Sequence, residues 1–493
     1  MELNRSINRL IQFGLNHKLI NEEDSDYIAN KIINILNEKD FIYEPTIVHD
    51  KFPDSILNDI LANQTKRNKL YPEEVTKGLL MDCLLPKPSE LNKKFFELYK
   101  QAPQEATDYY YNFSKTSGYV EVEKLAKNVH WKVMTKFGFL EINLNLSRPE
   151  KNTSSYKIAI SEIKSNYPNC LLCKENVGYK GRENYPSRLT HRIIPIELEK
   201  EHWYMQYSPY GYYNEHCIVF SINHEPMVIT PKTFSLLLDF VEKFPHYFLG
   251  ANADLPMVGA SIREHIHFQG GHYNFPIEKS EKVCEYTFSS LKEVRIEFLK
   301  WPISTIRLKS KNKNAILKVA QKIFNKWQIY DDEKLILKSH TGDILHHTLT
   351  SMARFENGEY IIYLALRSNL DSVDYPEGIF HAHEQFHHLK KEPIGLIEVL
   401  GLAVLPGRLK NEMVELIQTL KNGQNIEITN KHYPWFKELL LKIKKLEVKK
   451  EELDQFIEQE IGIRFVDMLE CGGVFKLNDK GKQGMDRFMS TII

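Results

Sequence analysis

His265, His267 and Gln269, in the stretch His265-Ile266-His267-Phe268-Gln269 with Gly270 and Gly271 directly after it, set two imidazoles and a carboxamide at alternate positions. On a strand these side chains would share one face. The apolar and small residues upstream, Leu255-Pro256-Met257-Val258-Gly259-Ala260, are expected to bring the chain in from a buried layer. The glycine pair would let the backbone pass close to a phosphate. A neutral imidazole, with an ordinary pKa of about 6.5, is a nucleophile near neutral pH without a separate base. Its attack on phosphorus gives a phosphoramidate that can hand a nucleotidyl group to a second acceptor. Gln269 can donate a hydrogen bond to a non-bridging oxygen without adding charge. A sugar-phosphate leaving group, with a second pKa of about 6, needs no strong general acid. The chemistry this spacing fits is nucleotidyl transfer.

The elements that must position these groups change character along the chain. Up to about residue 150 the pattern is mainly helical, with Ile7, Leu10, Ile11 and Leu15, then Ile28, Ile32 and Ile35, at helical spacing, and a break at Pro86 and Pro88. From about residue 155, short β-rich runs such as residues 217–222 alternate with helical stretches such as residues 234–241, an α+β or α/β layout. Residues 360–366 read as a strand in a second block, followed by His381-Ala382-His383-Glu384-Gln385, again H-x-H-x-Q and 116 positions after the first. An internal duplication is expected. Phe386-His387-His388 follows this copy and would crowd a phosphate, so the first copy is the better reactive site. The tail, residues 437–460, suits an amphipathic helix with a solvated charged face.

At 493 residues, with 42% apolar content, the chain is long enough for two or three cores. Sixty-five basic residues balance 65 acidic ones, so no long-range field favours nucleic acid or anionic membrane. No apolar run reaches spanning length and the N-terminal residues are unlike a secretory signal, so a soluble cytoplasmic protein is expected. Four of the six cysteines are scattered, and only Cys170 and Cys173 form a close pair, as C-x-x-C. That spacing is consistent with metal binding or with two reduced cysteines in a turn, and no thioredoxin-like pattern surrounds it.

The motif H-x-H-x-Q, with Lys94-Phe95-Phe96-Glu97-Leu98-Tyr99, residues 170–179 (CLLCKENVGY), Tyr207-Ser208-Pro209-Tyr210, Glu215-His216-Cys217-Ile218-Val219, Phe244-Pro245-His246-Tyr247-Phe248 and residues 394–399 (IGLIEV) in this order, resembles the galactose-1-phosphate uridylyltransferases of the second bacterial type, within the histidine-triad superfamily. The resemblance implies an α+β fold of duplicated histidine-triad-like halves, with antiparallel sheets and flanking helices. A mainly helical region, residues 1–155, would precede a catalytic half, 156–300, and a second half with C-terminal helices, 301–493. It implies exchange of UMP between UDP-glucose and galactose 1-phosphate in galactose catabolism, through a covalent uridylyl-histidine on His267. Gln269 would hold the phosphoryl oxygens and His265 would fix the geometry.

The resemblance further implies a structural zinc site of Cys170, Cys173, His224 and His265, with no organic cofactor. The alternative is a pair of free thiols, with His265 only orienting His267. The turn-rich segment of Asn184 and Arg188 could hold a base or phosphate, and Arg182, Arg188 and Arg192 are candidate phosphate ligands because a guanidinium can engage two oxygens. Gly270 and Gly271 would let the backbone approach the phosphate, while the resemblance places Asn252 on the nucleotide side and Glu398 on the sugar side. His381 and His383 would bind substrate or a structural ion. A homodimer is implied, without nucleic-acid or membrane partners. Three positions depart from the family pattern: Arg263 and Glu264 precede the motif, Ala382 replaces a proline, and His347 replaces an asparagine. The rival functions are a related transferase or phosphorylase acting on adenine dinucleotides, and a non-catalytic zinc-stabilised nucleotide-binding protein.

Overall fold

The computed structural model describes residues 2–146, 167–259 and 262–492. The chain forms two compact units: Met1–Ala126 with Lys151–Pro226 and Glu264–His267, and Lys127–Glu150 with Met227–Arg263 and Phe268–Ile493. The expected boundary between residues 155 and 156 lies outside the described residues.

The first unit begins as the helical spacing predicts. Helices Glu2–Asn16 and Ser25–Leu36 bury Ile7, Leu10, Ile11, Ile28 and Ile32, and helices Asp54–Asn63 and Glu73–Asp82 complete this core with Ile56, Leu57, Ile60, Leu80 and Met81. The run stops at Asp82. Pro88 then opens helix Pro88–Tyr99, where a missing N–H costs nothing. Helix Pro103–Thr116 packs against it. Tyr110 of that helix is buried and donates its hydroxyl to the Arg192 carbonyl at 2.6 Å, while Tyr207 donates to the Thr107 carbonyl at 3.0 Å. The helices therefore hold an antiparallel set of strands, Ile194–Leu198, Glu201–Tyr207 and Cys217–Ser221. Glu199 and Lys200, both at positive φ, make the tight hairpin between the first two.

In the second unit, strand Phe248–Ala251 lies between strand His267–Gly271 and strand His347–Glu356. Strands Glu359–Ser368, Thr305–Ser310, Arg295–Leu299 and Lys282–Tyr286 continue outward, every neighbour antiparallel. Asn357 and Gly358, both at positive φ, form the Asn-Gly hairpin that fixes the register of the longest pair. Helices Pro231–Lys243 and Lys313–Trp327 cover these strands with Phe234, Leu237, Leu238, Ile316, Val319 and Ile323 buried. A smaller sheet joins the hairpin Val129–Thr135 and Gly138–Asn145 to strand Leu402–Pro406. The α+β class, the largely antiparallel sheets and the helical N-terminal region are as expected, with strand Leu402–Pro406 joining Gly138–Asn145 in parallel.

Three local expectations are corrected. His265 lies before strand His267–Gly271, not on it, because Ile266 is drawn to the first unit's strand end by Ser221 N–H donating to its carbonyl at 3.0 Å and by its own N–H donating to Glu225 at 2.9 Å. Residues 255–259 enter by a turn, with Pro256 and Met257 exposed and Met257 at φ 65°, not from a buried layer; Ala260 lies outside the described residues. The tail is two helices, Tyr433–Leu446 and Leu453–Gly472, since Glu447 adopts a left-handed conformation that ends the first.

Candidate active site and metal centre

Cys170, Cys173, His224 and His265 converge in the first unit, their ligand atoms all within 4.8 Å of one another. Cys170 Sγ stands 3.6 Å from Cys173 Sγ and 3.3 Å from His265 Nδ1, and Cys173 Sγ lies 3.4 Å from His224 Nδ1 and 3.8 Å from His265 Nδ1. A tetrahedral zinc at its usual bond lengths would separate sulfurs by about 3.8 Å and sulfur from nitrogen by about 3.6 Å. The donor set fits. His265 Nε2 lies 2.9 Å from the Ser221 carbonyl, which makes Nε2 the donor and leaves the Nδ1 lone pair facing the sulfurs, the tautomer a metal requires. A hydrogen bond from the Cys170 thiol holds the Cys173 thiol well below its ordinary range, with the two imidazoles adding to the effect.

Asn176, fully buried, braces this loop. Its amide donates to the Cys170 carbonyl at 2.8 Å and the Cys173 carbonyl at 2.7 Å, and its oxygen accepts from Tyr185 at 2.7 Å. Sequence reading gave no role to Asn176, Tyr185 or Ser221. A C-x-x-C-x-x-N spacing was the available signal for the first of them.

His267 opens its strand, 7% exposed, with Nδ1 2.9 Å from the His265 carbonyl. Nδ1–H is therefore the donor, and Nε2 keeps its lone pair. Burial pushes the imidazole below its ordinary pKa, while the bond to the His265 carbonyl and the charge of Glu264 oppose this. The ring is held neutral with a fixed tautomer, the state a nucleophilic imidazole requires. Gln269 sits two residues further along the strand, on the same side, opposite Gly250, and Gly270 and Gly271 pair with Leu249 and Phe248. Gly271 has φ 150°, a conformation that favours glycine.

In the first unit, Asn184 lies at φ 58° in a turn closed by mutual backbone bonds of Arg182 and Tyr185, and Tyr185 ties that turn to the Cys170 carbonyl at 2.9 Å. Arg188 is half-buried with its guanidinium 5.9 Å from the Tyr119 ring centre. Arg192 is engaged elsewhere, paired with Asp82 at 2.8 Å and bonded to the carbonyls of Pro86, Leu189 and His191. Arg182 donates to the Tyr167 carbonyl and lies over the Tyr185 ring at 4.1 Å.

In the second unit, Asn252 Oδ1 accepts the Leu396 N–H at 2.7 Å, which fixes the orientation of its amide. Glu398 is buried, accepting from Gly395 N–H at 3.0 Å and paired with Lys390 at 2.6 Å, so its first task is to cap its own short helix, Leu396–Val399. The second H-x-H-x-Q is not on a strand. His381 Nδ1 faces the Ala382 carbonyl and its Nε2 is buried without a partner among the described residues, while His383 stacks on Tyr375 and lies 3.7 Å from Cys471 Sγ. His347 stacks on Trp327 at 4.1 Å and bonds its carbonyl at 3.0 Å, an arrangement of the core.

One solved structure, that of the yeast Ap4A phosphorylase Apa2, aligns with 67% of this chain and 91% of its own at 13% identity and a TM-score of 0.34, too distant a likeness to bear on fold or function. The family model for the galactose-1-phosphate uridyl transferase N-terminal domain matches residues 18–226, and that for the C-terminal domain matches residues 240–437. The galactose-1-phosphate uridylyltransferase of Clostridium perfringens (strain 13 / Type A) is 42% identical over 496 residues, covering 99% of both chains. That of Bacillus subtilis (strain 168) is 41% identical over 510 residues, covering 100% of this chain and 98% of its own. With the motif, the order of segments and near-complete coverage in agreement, the chain belongs to the galactose-1-phosphate uridylyltransferase family.

Proposed function

We infer that this chain is a uridylyltransferase that exchanges UMP between UDP-glucose and galactose 1-phosphate, with His267 as the nucleophile. The His267 Nε2 lone pair attacks the α-phosphorus of UDP-glucose. A P–N bond forms, the P–O bond to the β-phosphate breaks, and glucose 1-phosphate leaves with the electron pair. A phosphate oxygen of galactose 1-phosphate then attacks the same phosphorus, the P–N bond breaks, and UDP-galactose departs. The Nδ1–H bond to the His265 carbonyl persists throughout and stabilises the charge on the uridylylated ring. That bond is the observation that carries the reading, because it fixes which nitrogen is nucleophilic.

Gln269 donates to the non-bridging oxygens, and Gly270 and Gly271 admit the phosphate close to the backbone. Asn252 offers its amide nitrogen to the same group. On this reading Asn184 and Arg188 are assigned to the nucleotide and Glu398 to the sugar. Cys170, Cys173, His224 and His265 would hold zinc, whose contribution is to tie the Cys loop to the backbone that carries His267. The family resemblance carries the expectation of a cytoplasmic homodimer, which light scattering on the purified protein tests for the oligomer. Intact-protein mass spectrometry after brief exposure to UDP-glucose, quenched at mildly alkaline pH, tests the mechanism. A uridylyl adduct is expected on the parent protein and not on His267→Ala; an equal adduct on both proteins would remove His267 from its role.

A further inference from the structure

Arg367, on strand Glu359–Ser368, is the least exposed charged side chain among the described residues, at 1%. It makes no ion pair with a carboxylate among them. Both terminal nitrogens donate to the Ile394 carbonyl, at 3.2 and 3.3 Å, one also reaches Thr350 Oγ1 at 3.4 Å, and Nε has no partner among the described residues. Burial pushes the guanidinium down to about 10 against the opposing charge of Glu398. Stability alone would favour an apolar side chain of similar length here, since a buried charge without a close partner is costly to desolvate. The guanidinium does have a geometric effect, which is to grip the carbonyl of Ile394 from two directions.

Two residues further on, the Leu396 N–H holds Asn252 Oδ1 at 2.7 Å. The fit around that bond is close: a Cβ on Gly395 would stand 3.2 Å from Asn252 Oδ1, and one on Gly250 would stand 2.7 Å from the Leu396 side chain. The Leu396 N–H fixes the oxygen end of the Asn252 amide, so its NH2 end is the one turned to a ligand. We propose that Arg367 is a positioning residue for uridylyl transfer, fixing Ile394 so that Leu396 aims the Asn252 amide nitrogen at the phosphate of the nucleotide. This rests on the reading of Asn252 as a phosphate donor.

The test compares uridylyl-enzyme formation from UDP-glucose, followed by rapid quench, with the thermal melt of each variant. Arg367→Met should melt at or above the parent temperature yet lose about tenfold in kcat/KM for adduct formation, equivalent to about 1.4 kcal/mol. Arg367→Lys should recover part of the loss, because an ammonium reaches the carbonyl from one direction only. Gly395→Ala, which crowds Asn252 Oδ1 without straining a backbone at φ −94°, should lose activity in the same direction. Parent kinetics in Arg367→Met, with Asn252→Asp impaired, overturns the positioning role and leaves the reading of Asn252 intact. Parent kinetics in Asn252→Asp overturns both. Should Arg367→Met fail to fold, Arg367→Lys decides, and an undiminished kcat/KM there overturns the proposal.

Discussion

A backbone group decides the chemistry of each of three side chains. The His265 carbonyl leaves Nε2 as the nitrogen of His267 with a lone pair, the Ser221 carbonyl turns His265 Nδ1 toward the thiols, and the Leu396 N–H fixes which end of the Asn252 amide carries the oxygen. Side-chain identity was readable from the spacing of H-x-H-x-Q and C-x-x-C. These backbone partners were not, because Ser221 and Leu396 lie far along the chain from the residues they orient. Gln269 needs no such decision to be tested. Gln269→Glu keeps its shape but sets a carboxylate where the phosphoryl oxygens gather charge. The expected result is a loss of about 100- to 1,000-fold in adduct formation with an unchanged melt, the magnitude of removing one donor to a developing anion. Stopped-time quench with UDP-glucose checks it, and retention of the parent rate would take Gln269 out of the reaction.

At the level of elements, the Cys loop shows what a local pattern can and cannot reveal. Residues 170–179 carry the two cysteines and the family likeness, and the four candidate ligands come together as that likeness implied. The brace was legible only as the asparagine three residues after Cys173, because spacing does not show that its amide donates to the cysteine carbonyls. Asn176→Ala would leave the Cys170 carbonyl with the Tyr185 hydroxyl and the Cys173 N–H, and the Cys173 carbonyl with the backbone N–H of residue 176, so the cost is that of the side-chain bonds lost, about 0.5–1.5 kcal/mol each. The melting temperature should fall, and zinc measured by elemental analysis should be lost to a chelator faster than from the parent. Asn176→Asp restores the acceptor for Tyr185 but not the donors, so it should resemble the alanine variant. Unchanged zinc retention in both would mean that the loop holds its shape without the brace. Periodicity also misplaced His265, since an alternating pattern does not reveal that Ile266 bonds to Ser221 and Glu225 before the strand begins.

Across the whole molecule, several buried histidines make stability depend on pH in a range where carboxylates remain ionised. Burial first, then Arg188 and Arg192, pushes His191 down to about 3 in the first unit. In the second unit burial is again the largest cause, taking His347 and His381 to about 4 and His388, beside His432, to about 3. Each has an ordinary value of 6.5 when exposed. Between that value and the folded one, the unfolded chain binds protons that the folded chain refuses. Stability is therefore fully present above about pH 6.5 and falls as the pH drops toward 4, by up to about 1.4 kcal/mol per pH unit for each group. Urea midpoints measured from pH 7.5 to 5 should decline from about pH 6.5 downward, and a flat profile would contradict the burial of these rings in neutral form. His347→Asn refines the test. An asparagine amide can donate to the Trp327 carbonyl in place of Nδ1–H but cannot titrate, so the decline should be shallower by one proton while the midpoint at pH 7.5 changes little. A slope equal to that of the parent would assign the acid sensitivity to other groups.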